Sequence, residues 1–87
     1  MLKVIRTSGI VHTMECYEKF AREIDSCIGK YWSANWGDTC ASDSKMNDKA
    51  LRNGHRIVAL YKTSQGNVFI ISDHGHVVTT VLFADEY

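Results

Sequence analysis

From Met14 to Tyr31 the apolar residues Met14, Tyr17, Phe20, Ala21, Ile24, Cys27, Ile28 and Tyr31 fall three or four positions apart. That spacing lines one face of an amphipathic helix. Thr13 offers the N-cap hydroxyl. On the opposite face Glu15 with Lys19 and Glu18 with Arg22 stand four apart, acid first, the order that supports an exposed helix. Gly29 weakens the far end by about 1 kcal/mol relative to alanine, so the helix is expected to stop there or fray through Trp32. A second, shorter helix is read from Ser42 or Asp43 as cap, through an inward stripe of Met46, Ala50 and Leu51, to a left-handed stop at Asn53-Gly54.

The remaining pattern is that of strands. Residues 2–6 read as a leading strand closed by a Thr7-Ser8-Gly9 turn, and residues 56–63, 67–73 and 77–83 are rich in Val, Ile, Phe and Thr between Ser-Gln-Gly and His-Gly turns. The predicted architecture is a single α+β domain over residues 1–87, with one long and one short helix on a three- to four-stranded antiparallel sheet. The strands do not alternate cleanly: Ile57, Ala59 and Tyr61 oppose Val58 and Leu60, while Val68 and Ile70 oppose Phe69 and Ile71. Both sheet faces therefore carry apolar groups. The long helix can cover one of them, leaving the other to the second helix, to the loop tryptophans or to another chain, so a homodimer stays open.

Composition narrows the function classes. A domain of 87 residues buries only about 60 to 65% of its unfolded surface, which leaves little room for a large cofactor cavity. Ten basic and ten acidic side chains balance to zero formal charge, so the overall footprint of a general nucleic-acid binder is missing and any steering must come from local patches. No apolar run approaches the length needed to cross a bilayer, and the first six residues are too short for a signal peptide; a cytoplasmic protein without a membrane partner is expected. Cys16, Cys27 and Cys40 are odd in number and form no Cys-x-x-Cys pair, which points to reduced thiols, Cys27 in the core and Cys40 in a polar loop.

Four sets of side chains invite chemistry. Asp38, Asp43, Asn47 and Asp48 could surround a hard cation, but turn and helix-start hydrogen bonding explains each of them without a metal. His12 with Cys16 and His74 with His76 can be drawn as zinc ligands, yet nothing in the sequence brings the pairs together. Cys16 or Cys40 with His12, His55 or His74 would make a nucleophile and base, but no glycine-rich elbow or oxyanion donor accompanies them. No enzyme, metal site or cofactor is expected. The fourth set is Lys45, Lys49, Arg52 and Arg56, at steps of four, three and four, the first three on one face of the second helix. A solvated helix face, with Asp48 and Arg52 paired, is the plain reading; a partner-binding face with Trp32 or Trp36 as aromatic anchor is the functional one.

From Trp36 onward the chain runs Trp-Gly-Asp, Asn-Asp-x-Ala-Leu-x-Asn-Gly and Thr-Thr-Val-Leu-Phe-Ala-Asp-Glu-Tyr. This order resembles a family of small bacterial proteins carried by plasmids, prophages and other mobile elements, over about three fifths of the chain. Matching positions include Trp36, Gly37, Asp38, Asp43, Asn47, Asp48, Gly54, Thr79, Thr80, Glu86 and Tyr87. The family's Glu-x-Asp-Arg-Ser turn is replaced by Asp73-His74-Gly75-His76, so any role of that turn does not carry over. The resemblance implies a mobile-element accessory protein in a bacterial host cell and supplies no catalytic chemistry. Protein binding to a host protein or nucleoprotein complex is the expected function, with a host-defence inhibitor such as an anti-CRISPR its sharpest form. The alternative is a nucleic-acid-binding accessory factor using the basic helix face.

Overall fold

The computed structural model describes residues 3–87, so Leu2 of the expected leading strand lies outside the described residues. The fold is α+β. In chain order it runs β1 (Lys3–Arg6), α1 (Ser8–Cys16), α2 (Glu18–Trp32), α3 (Ala41–Asn53), β2 (Ile57–Thr63), β3 (Gly66–Ser72) and β4 (Val78–Phe83), with short 3-10 turns at His74–His76 and Ala84–Glu86. The four strands lie in the order β1-β4-β3-β2. The β2–β3–β4 meander is antiparallel as expected, but β1 joins β4 in parallel, so the sheet is mixed. Parallel pairing needs a long return connection, and here α1 through β3 supplies it.

The single long helix is two helices. Tyr17 leaves helical geometry at φ −132°, ψ 105°, and is exposed. The first begins at Ser8, capped by Thr7, whose Oγ1 accepts from the Ile10 amide at 3.3 Å. Thr13 therefore lies inside α1, not at a helix start, and the expected Thr7-Ser8-Gly9 turn is the first turn of a helix. An unbroken helix from Ser8 to Trp32 would run about 37 Å, against about 23 Å for a seven-residue strand. The break lets both halves stay over the sheet and sends Ile10 into the core. It also separates Glu15 from Lys19; the expected Glu18–Arg22 pair does form, at 3.3 Å.

Strand register separates the two faces. Ile57, Ala59, Tyr61, Val68, Ile70 and Val81 point one way and are fully buried under Phe20, Ile24, Cys27 and Tyr31 of α2. Phe20 stacks on Phe83 with ring centroids 5.5 Å apart. Within this layer the Tyr31 hydroxyl meets Ser72 Oγ, which bonds Thr79 Oγ1 at 2.7 Å, so the core's hydroxyls satisfy one another. Val58, Leu60 and Phe69 point the other way and stay half-exposed. α3 packs along the edge of β2 and the closing 3-10 turn packs on β3, and Ile71 and Leu82 of this same face are buried.

Candidate functional site

Asn47 decides where α3 sits. It occupies the inward face beside Ala50, where the apolar pattern had placed Met46 and Leu51. Its Nδ2 donates to the Val58 carbonyl at 2.9 Å, and its Oδ1 accepts from the Val58 amide at 3.4 Å. One side-chain amide thus imitates a neighbouring strand. The same edge continues with Leu60, whose amide donates to Thr39 Oγ1 at 2.8 Å and whose carbonyl accepts from the Asp38 amide at 2.8 Å. The Lys62 amide donates to Asp38 Oδ2, again at 2.8 Å. From Val58 to the Lys62 amide the outer rim of β2 is engaged by side chains and by the Asp38 backbone, which removes much of the template that an open edge offers to another chain.

The Trp-Gly-Asp turn serves the same seal. Gly37 sits at φ +62°, and a Cβ there would fall 2.3 Å from the Tyr61 ring, so only glycine lets the loop lie against that ring. Tyr61 donates its hydroxyl to the Asn35 carbonyl at 2.7 Å. Trp36 is only 5% exposed and donates Nε1 to Asp48 Oδ1 at 2.8 Å, tying the loop to α3. Trp36 is therefore a core residue and is not available as a partner anchor. Asp48 bonds Trp36 and not Arg52. The α3 N-terminus is Cys40, without a side-chain cap bond, so neither Ser42 nor Asp43 caps it; Gly54, at φ +71°, is the expected left-handed stop.

At the chain's end, Glu86 Oε1 accepts from Thr7 Oγ1 at 2.9 Å and from the Phe83 amide at 2.8 Å, linking the last strand to the start of α1. Tyr87 lies edge-on to Phe69, under the Arg56 guanidinium, which donates to its hydroxyl at 2.8 Å. Arg56 is held by that contact, off the outward face of α3. The His74–His76 turn clasps the α3–β2 link: the Gly75 amide donates to the Gly54 carbonyl at 2.8 Å, and His76 Nε2 bonds the His55 carbonyl.

The outward face of α3 is different. Lys45, Lys49 and Arg52 are exposed, and among the described residues none has an anionic partner. On one flank of this ridge Leu51, 47% exposed, and Trp32, 48% exposed, open onto a socket of about 160 Å³ floored by Tyr31, Trp36 and Ile57. On the other flank Met46, 67% exposed, overhangs a groove of about 810 Å³ floored by Val58, Leu60 and Phe69. The structure sets Trp32 beside Leu51 in the socket, about a third of a turn round α3 from the ridge. The stripe spacing predicted the ridge, but not the two apolar hollows beside it. The polar Asn47 within the α3 pattern was the one sequence signal that Met46 and Leu51 had been displaced outward.

The other candidates resolve into structure. Asp38, Asn47 and Asp48 each bond a protein group, as above, and Asp43 is exposed. His12 and Cys16 lie 3.7 Å apart on the surface of α1, and among the described residues no group of three His, Cys, Asp or Glu side chains is placed to hold a metal. Burial pushes the Cys27 thiol up, which disfavours its reactive thiolate. Among the described residues no helix is long and apolar enough to cross a membrane. Comparison with protein-family models, curated proteins and solved structures returns no match to this chain.

Proposed function

We propose that this chain is a small, non-enzymatic binding protein that docks the outward face of α3 on an acidic surface of a host protein or nucleoprotein complex. The observation that carries this reading is the ridge of Lys45, Lys49 and Arg52, without anionic partners among the described residues, beside the Trp32–Leu51 socket. Exposed charge steers encounter, and a half-exposed tryptophan beside a hollow supplies the desolvated contact that charge alone does not. A partner of this site carries carboxylates flanking one apolar side chain, the latter seated between Trp32 and Leu51. The motif resemblance places such a protein on a bacterial mobile element, in the cytoplasm of its host, where occupying a defence protein as an anti-CRISPR does is the sharpest form of the activity.

The test is affinity capture from a nuclease-treated host lysate, with the wild-type chain, a Lys45→Glu, Lys49→Glu, Arg52→Glu variant and a Trp32→Ala variant. All three proteins should melt cooperatively, because exposed charges contribute little to stability and Trp32 is half-exposed at the rim of the core. The wild type should retain a defined protein that both variants lose. A folded triple variant that still retains it would overturn this surface. Capture abolished by nuclease, with a steep fall in affinity as salt rises, would transfer the ridge to a nucleic-acid role, since phosphate contacts release counterions.

A further inference from the structure

The groove on the opposite flank of α3 carries charge in a definite order. After α3 the chain reverses at Gly54, and β2 returns alongside the helix, so the start of α3 lies beside the end of β2. Asp38, bonded to the Lys62 amide, and Asp43 in the first turn of α3 therefore line one end of the groove. Lys49, His55 and Arg56 lie towards the other: Arg56 is about 20 Å from Lys62 at roughly 3.3 Å per strand residue, and Lys49 about 9 Å from Asp43 at roughly 1.5 Å per helix residue. Between them lie the apolar Met46, Ala50, Val58, Leu60 and Phe69, with the Asn47 amide taken up by the Val58 backbone. Lys45, on the outward ridge, and Lys62, past the acidic end, do not line the groove.

A hollow that is acidic at one end, apolar in the middle and basic at the other is complementary to itself when turned by a half rotation. We infer that a second copy of this chain seats on it as a two-fold symmetric dimer. The carboxylates of each copy meet the cations of the other, and each Met46 enters the partner's groove over Leu60. An isologous interface requires this arrangement, in which the same patch serves both subunits. The largely sealed rim of β2 directs the contact to the face of the sheet, because the Val58 and Leu60 backbone groups and the Lys62 amide are already engaged there. Zero formal net charge adds no long-range repulsion between copies. This inference shares Lys49 with the outward ridge but otherwise uses the other flank of α3, and it needs no host component to be tested.

Sedimentation equilibrium of the purified full chain decides it. The wild type should fit a mass of twice 9.8 kDa as concentration rises. Met46→Glu, Asp43→Lys and Lys49→Asp alter exposed positions, so each should keep its circular dichroism and melting cooperativity while shifting to monomer. The Asp43→Lys, Lys49→Asp double variant exchanges one charge pair of the groove, leaving Asp38 and Arg56 in place, and should regain the dimer, which a merely weakened fold would not do. A wild type that stays at 9.8 kDa up to its solubility limit would overturn the inference. A dimer that persists through all three single variants would overturn it equally, by placing the interface elsewhere.

Discussion

An asparagine turned inward from a helix must find partners for both atoms of its amide, and Asn47 finds them in the N–H and C=O of Val58. Removing that side chain leaves two backbone groups at the α3–β2 seam without a partner. Asn47→Ala should therefore cost about 1 to 3 kcal/mol, the range for stranding buried hydrogen-bonding groups. Lys45→Ala, on the same helix but exposed and unpaired, should stay within about 0.5 kcal/mol of wild type. Urea denaturation checks both, and amide hydrogen exchange at Val58 should accelerate in the first variant alone. Equal stability of the two would mean that water replaces Asn47 at the strand edge.

The amphipathic stripe of α2 is the element on which the core is built. Phe20, fully buried, touches Phe83 across the helix–sheet layer, and Ile24 and Cys27 continue the contact along the same face. Phe20→Ala should cost about 3 to 5 kcal/mol through lost burial and the cavity left behind. For a domain whose whole stability is about 5 to 15 kcal/mol, that loss should lower the thermal midpoint sharply; an unchanged midpoint would remove Phe20 from the core. Glu23 of the same helix reaches the β2–β3 turn, accepting from the Ser64 amide at 3.1 Å and from its hydroxyl. One helix thus both fills the core and pins the hairpin that carries the sealed edge.

For the whole molecule, the phenols inside the helix–sheet layer set a limit at high pH. Burial raises the pKa of Tyr31, partly offset by its bond with Ser72, and burial likewise raises that of Tyr61, with smaller contributions from Cys27 and Tyr31. A folded pKa above the unfolded value, about 10 for tyrosine, means that the unfolded chain releases its proton first. Stability is then full below that pH and falls as pH rises through it and towards the folded values. Melting temperature should hold level near neutrality and drop once tyrosine ionises in the unfolded chain. The tyrosinate absorbance of Tyr31 and Tyr61 should appear together with unfolding, not before it. Tyr61→Phe should flatten the alkaline slope, and a slope unchanged in that variant would assign the effect to other groups.

Local pattern was enough to determine the α+β class, the antiparallel meander, the α2 stripe, the left-handed stop at Gly54 and the basic spacing on α3, because each is a periodicity or a backbone preference of adjacent residues. The break at Tyr17 was not legible: no glycine or proline marks it, and it follows from fitting two helices over short strands. The parallel pairing of β1 with β4 is a contact between residues more than seventy positions apart, which no local pattern encodes. Trp32 and Trp36 look alike in sequence and both meet the edge of the Tyr31 ring, yet the bond to Asp48 ties Trp36 into the core while Trp32 remains half-exposed. The groove and the socket arise only when α3 is drawn to the edge of β2, since a hollow is the space between elements and belongs to no single stretch of chain. Residue types set which groups need partners; the tertiary structure decided which partners they reached and which surface was left open.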